Sequence, residues 1–156
     1  MTASDLPQKP SAAPPDAPDS GSGRLTYEAV TADVRVTVRP VFLEEQSDPE
    51  EHQFLWAYHI RIENLGDKTV QLLSRHWRIT DGLGQVHEVE GAGVVGEQPT
   101  LKPGGSFEYT SGAPLSTPSG FMGGDYRMRR DDGESLAVRV PTFSLDSPYA
   151  DSRTLH

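Results

Sequence analysis

The chain has no cysteine. That excludes disulfides, thiolate metal centres and thiol catalysis, and it fits a reducing, cytoplasmic setting. Long apolar runs are also missing. The longest is Phe54 to Tyr58, five residues, far short of a membrane span. Met1 to Pro10 lacks the basic start and apolar stretch of a secretory signal, so a cytoplasmic location is expected. Basic residues are in the minority, 14 against 23 acidic, for a net charge of −9 over 156 residues. This balance argues against a basic nucleic-acid-binding face and against docking on anionic lipid, so neither nucleic acid nor membrane insertion is expected. No helix-period pattern runs beyond about two turns.

What is present is punctuation and alternation. Met1 to Gly23 holds five of the 13 prolines, and its only large apolar residues are Met1 and Leu6. Such a segment buries too little to offset the entropy of ordering, so residues 1–25 are expected to form a disordered tail. Residues 146–156 read as a second, short tail, which leaves a domain over 26–145.

Within that domain the period is two. Ala32, Val34, Val36 and Val38 alternate with polar residues up to Pro40. After a charged turn over Glu44 to Gln53, the residues Phe54, Trp56, Tyr58, Ile60 and Ile62 share one face. Val70 and Leu72 then start a strand on even positions, while Trp77 and Ile79 end it on odd ones. A pleated strand cannot do this without an extra residue, so a β-bulge is predicted between Leu73 and His76. Further strands are read at Gln85 to Glu90, at Ser106 to Ser111, through Tyr126 and Met128, and through Leu136, Val138 and Val140. Gly112 to Gly123 reads as a loop. Seven or eight short strands with almost no helix predict an all-β, immunoglobulin-like antiparallel β-sandwich, with Trp56 or Trp77 between the sheets.

Candidate chemistry is sparse. Gly91, Gly93 and Gly96 spell GxGxxG, which in a dinucleotide fold lets a pyrophosphate approach the N-terminus of a helix. Here Pro99 and Pro103 follow within seven residues, so the required helix is not expected. A glycine-rich turn is the favoured reading, with a backbone anion nest as the alternative and Arg75 or Lys102 as helpers if the fold brings them near. His52, His59, His76, His87 and His156 show no metal-ligand spacing, so no metal site and no cofactor are expected. Ser74 and His76 lie two apart without a nucleophile motif, and no catalysis is expected. Arg75-His76-Trp77-Arg78 is the most informative cluster. A bulge there re-aims side chains, and Arg and Trp favour interfaces; equally, Trp77 can be core with the arginines paired to carboxylates. Phe121 and Met122 either anchor a partner or cap the sandwich. The expected partner surface is Arg75, His76, Arg78, Tyr109, Phe121 and Met122.

The run from Val34 to Phe143 resembles the ApaG (CorD) domain family. The resemblance is carried by Phe54-Leu55-Trp56-Ala57-Tyr58, Leu72-Leu73-Ser74-Arg75-His76-Trp77-Arg78, Gly91-Ala92-Gly93-Val94-Val95-Gly96 and Phe107-Glu108-Tyr109-Thr110-Ser111-Gly112. It implies a fibronectin-III-like sandwich, a link to bacterial cobalt resistance and magnesium efflux, and a protein-binding role without enzymatic activity. The expected function is therefore a non-enzymatic protein-interaction module. The alternative is a small-ligand sensor, weakly binding a phosphate compound or Mg²⁺/Co²⁺.

Overall fold

A computed structural model describes residues 25–150. These hold nine strands: β1 (Tyr27–Thr31), β2 (Val34–Phe42), β3 (Phe54–Asn64), β4 (Val70–Asp81), β5 (Val86–Ala92), β6 (Thr100–Leu101), β7 (Ser106–Leu115), β8 (Gly120–Arg130) and β9 (Ser135–Leu145). Two antiparallel sheets form, one in the order β1-β2-β3-β7 and the other β5-β4-β8-β9, with β6 pairing to β4. The sandwich expected from the alternation is present.

The alternation itself puts the layers face to face. On β2 the buried residues are Val34, Val36 and Val38, and on β3 they are Phe54, Trp56, Tyr58, Ile60 and Ile62. Each fully buried aliphatic side chain contributes roughly 1.5–3 kcal/mol, so a slip of one residue would turn the whole set to solvent. Both tryptophans are interior. Trp77 packs its ring edge-on against Tyr58 at 5.5 Å and Tyr126 at 6.1 Å. Trp56 donates Nε1–H to the Asp146 carbonyl at 2.8 Å.

Several expectations are corrected. Ala32 is not in a strand: with Asp33 it takes φ of 50° and 65° and makes the tight turn from β1, a strand the sequence reading lacked, into β2. Gly112 to Gly123 is mostly strand, belonging to β7 and β8, and only residues 116–119 connect them. The glycines there serve close backbone approach: a Cβ on Gly124 would collide with the His76 carbonyl, and one on Gly120 would lie 2.5 Å from that of Thr80. The strand read through Leu136, Val138 and Val140 runs on past Pro141 to Leu145: the register shifts between Met122 and Gly124, and the proline sits in a bulge on an edge strand. Residues 146–150, expected in a tail, pack on the sandwich. Ser147 Oγ donates to the Pro118 carbonyl at 2.7 Å, and the Tyr149 ring lies 5.9 Å from Phe54 and 6.1 Å from Phe42. The tail expected over residues 1–25 lies, except for Leu25, outside the described residues.

The two sides of the sandwich differ. On one side β1 leans on β9: the Arg139 amide donates to Thr31 Oγ1 at 3.2 Å, and the Ser144 amide to the Tyr27 hydroxyl at 3.3 Å. On the other side β5 extends the second sheet past β7. Its residues are exposed on both faces apart from Gly91. The candidate site lies under this overhang.

Candidate functional site

The bulge in β4 creates the site. The register with β8 shifts between Leu72 and Ser74, which makes Leu73 the extra residue, at the start of the predicted interval. Upstream, even-numbered Val70 and Leu72 face the core; downstream, odd-numbered Arg75 and Trp77 do. The Leu73 carbonyl accepts from the Gly93 amide at 2.8 Å and from Gln98 Nε2 at 2.8 Å, which ties the segment after β5 to the bulge.

The parity change carries an arginine to the inner face. Arg75 pairs across the sheet with Tyr126 on one side and Gly91 on the other. Its guanidinium lies against Gly91, where a Cβ would stand 2.9 Å from Nη1. Nη1 donates to the carbonyls of Ala92 at 3.1 Å and Gly93 at 2.9 Å. Among the described residues no carboxylate forms an ion pair with Arg75.

The GxGxxG run thus has a local task. Gly91 leaves room for the guanidinium. Gly93, at φ 64°, has no space for a Cβ beside the Glu97 carbonyl. Gly96, at φ 81°, completes a tight turn that closes between Val94 and Glu97. No helix follows, since Thr100–Leu101 forms β6 and Ser106 opens β7. Val95 in the same turn has φ of 43°, a costly conformation for a β-branched residue, of order 1–3 kcal/mol. Lys102 lies beyond β6, in the turn leading to β7, and does not line this site.

Beneath the guanidinium is a cavity of about 150 Å³ between the sheets, lined by Tyr58, Arg75, Trp77, Tyr109, Ser111 and the Val94-Val95 turn. Three phenols gather here. Tyr109 and Tyr126 share a hydroxyl–hydroxyl bond of 2.6 Å. Burial raises Tyr58 above the ordinary tyrosine range, with the Ser111 hydroxyl and Arg75 pulling the other way. Burial lifts Tyr109 well above that range, and raises Tyr126 as well. The Arg75 charge opposes the shift in all three.

The six expected partner residues do not form one surface. Arg75 and Tyr109 line the cavity, and Met122 is core at 1% exposure, so it reaches neither a partner nor the end of the sandwich. Phe121 is in β8 rather than a loop and points outward with 49% of its surface exposed. His76 and Arg78, next to Arg75 and Trp77 in sequence, take the outer face. Across β8, β4 and β5 this face carries a row of Phe121, Thr80 and Val86, then a second with Arg78 and Glu88, then Asp125, His76 and Glu90. His76 Nε2 is 2.9 Å from Glu88 Oε1, a contact that raises the histidine above its ordinary value and lowers the glutamate. Val86 is 46% exposed, and Leu83, in the turn before β5, is 70% exposed. Among the described residues, no group of three or more His, Asp or Glu converges as a metal site. Among the described residues no helix is long and apolar enough to cross a membrane.

Comparison with known proteins decides the family. The ApaG domain model matches residues 44–130. The chain belongs to the ApaG family. It is 62% identical over 127 residues to Protein ApaG of Rhodospirillum centenum, covering 81% of this chain and 98% of that one. It is 55% identical over 130 residues to Protein ApaG of Parvibaculum lavamentivorans, with 83% and 99% covered. The crystal structure of a Bordetella pertussis protein called ApaA superposes with a TM-score of 0.73 at 49% identity, covering 74% of this chain and 94% of that one. The ApaG match includes Arg75, the glycine run and the outer-face residues of β4, β5 and β8.

Sequence reasoning singled out Arg75, Tyr109 and the glycines but missed Tyr58 and Ser111 as neighbours. Tyr58 reads as one more core residue of β3. Only the pairing of β3 with β7, which sets Tyr58 opposite Ser111, reveals the shared cavity.

Proposed function

We propose that this ApaG domain is a cytoplasmic protein-interaction module that performs no reaction of its own, and that it engages its partner through the outer face of the β5-β4-β8 sheet. One observation carries the reading. Phe121, Thr80 and Val86 stand side by side across three strands, two of them large apolar side chains about half exposed, with Arg78 in the next row. An exposed aromatic beside an arginine is the composition of an interface hot spot. The neighbouring edge of β5 bonds to no strand but β4 among the described residues, so an extended partner segment can add there. Such a segment would pair its backbone with β5 and set its outward side chains beside Val86 and Glu88, while Phe121 and Arg78, further across the sheet, would meet the rest of the partner.

The cation link implied by the family resemblance would then be indirect, passing through the partner. The cavity beneath Gly91 presents a guanidinium, which repels a divalent cation, so a cation-sensing role draws no support from that site.

The test is capture of interacting proteins from a cell extract by the tagged chain. Phe121→Ala and Arg78→Ala should each weaken capture, by roughly tenfold or more for a hot-spot residue. The melting temperature should stay put, because exposed substitutions change stability by about 0.5 kcal/mol or less. Undiminished capture of every partner by both variants refutes the assignment of this face.

A further inference from the structure

We propose that the cavity beneath Gly91 is a binding subsite for a small oxyanion, a phosphate or a short carboxylate, held by the Arg75 guanidinium. The inference is independent of the outer-face reading, since the cavity lies on the opposite side of the sheet.

Four observations meet here. First, the cation is placed by design of the strand: a bulge is needed to turn Arg75 inward, and a glycine is needed opposite to leave it space. Second, the charge is not neutralised. Arg75 uses Nη1 on two backbone carbonyls, and among the described residues it bonds through neither Nη2 nor Nε. A guanidinium fork with a free edge matches the paired oxygens of a carboxylate or phosphate. Third, the wall carries the hydroxyls of Tyr58 and Ser111; Ser111 bonds to the Tyr58 oxygen, which leaves the Tyr58 O–H to donate to an anion. Among the described residues, no acidic side chain lines the cavity. Fourth, strain gathers at its rim, where Val95 is held at positive φ. Such outliers concentrate at ligand clamps and active sites.

Size narrows the ligand. A volume near 150 Å³ is roughly ten times or more the ~10–15 Å³ a single water needs. It falls below the ~300 Å³ at which pockets for drug-sized molecules begin. A nucleotide does not fit inside; an ion of a few heavy atoms does. The glycine run therefore serves an anion without being a dinucleotide motif. It shapes the chamber for the arginine, and the arginine supplies the charge.

The experiment is a nitrogen-15 NMR titration of the full chain, with inorganic phosphate in one arm and acetate in the other. Saturable shifts should cluster on the amides of Gly91, Val94, Val95 and Ser111. Phosphate saturating alone assigns a phosphate site, acetate alone a carboxylate site, and both an unselective oxyanion site. In each case Arg75→Lys, which keeps a positive charge but loses the fork, and Tyr58→Phe, which removes one hydroxyl, should weaken binding by about tenfold. Should an arginine variant fail to fold, Tyr58→Phe decides, because it keeps the ring that packs on Trp77. The proposal is overturned if neither anion saturates at millimolar concentration, if the shifts map to other surfaces, or if Tyr58→Phe binds as the parent does.

Discussion

Gly91→Ala offers a test in which the sign of the effect, and not only its size, depends on a second residue. Gly91 sits in strand geometry, so alanine there should tighten the unfolded ensemble and stabilise by about 0.4–1 kcal/mol if nothing stood in the way. The Arg75 guanidinium does stand in the way, with Nη1 2.9 Å and both Cζ and Nη2 3.0 Å from the new Cβ. A side-chain end can swing aside, but doing so breaks two hydrogen bonds from a charged donor to the carbonyls of Ala92 and Gly93. Such bonds are worth ~1.5–3 kcal/mol each when shielded; with part of the group in solvent, about 2 kcal/mol for the pair is a fair expectation. Gly91→Ala should therefore destabilise the parent by roughly 1 kcal/mol and stabilise the Arg75→Ala variant by ~0.4–1 kcal/mol, a coupling of about 2 kcal/mol. Denaturant unfolding of the four proteins, with constant slopes, measures this directly. An effect of the same sign and size in both backgrounds would refute the account of the glycine run.

Other consequences can be checked on the same footing. Ending the chain at Leu145 removes the Asp146 carbonyl bound by Trp56, the Ser147–Pro118 bond and the Tyr149 ring; it should lower unfolding free energy by about 2–4 kcal/mol, and an unchanged midpoint would contradict the packed chain end. Tyr126→Phe leaves the Tyr109 hydroxyl buried without its partner and should destabilise by ~1–3 kcal/mol in the same assay. Both phenols are raised above the ordinary 10.0, so the stability they contribute is complete below that pH and declines as pH climbs past it, which an alkaline unfolding series followed by tyrosine absorbance will register. His76 should titrate above 6.5 and return toward it in Glu88→Gln. Its raised value means that its contribution holds below 6.5 and is lost as pH rises through the folded value. Glu88, lowered from 4.5, contributes above that pH and loses its share as pH falls; histidine proton shifts across both ranges test the pair.

The sequence made the layers legible because burial on one face imposes a period that survives in the residue order. Phe54 to Ile62 and Val34 to Val38 could be assigned to a face without coordinates, and so could the bulge, since Leu72 and Trp77 cannot share a face otherwise. The glycine-rich strands were not legible. Gly120 and Gly123 read as loop because nothing in the sequence shows that the backbones of β4 and β9 press against them. Nor could the order of residues show that Tyr58 and Ser111 meet Arg75, since β3 and β7 are joined only by long-range pairing. The partner residues scattered for a simpler reason: neighbours on a strand point to opposite faces, so a contiguous cluster such as Arg75 to Arg78 divides between two surfaces.

The single extra residue at Leu73 has a consequence for how such chains can diverge. It acts as a phase switch: the strand before it and the strand after it obey opposite parity rules. Point changes at His76 or Arg78 therefore alter only what solvent or a partner meets, whereas pairing Leu73 into the ladder as an ordinary residue would put both of them into the core and expel Arg75 and Trp77 to the outside. Descendants of this sequence are free to vary their exposed lettering on β4 but not to iron its bulge into the ladder.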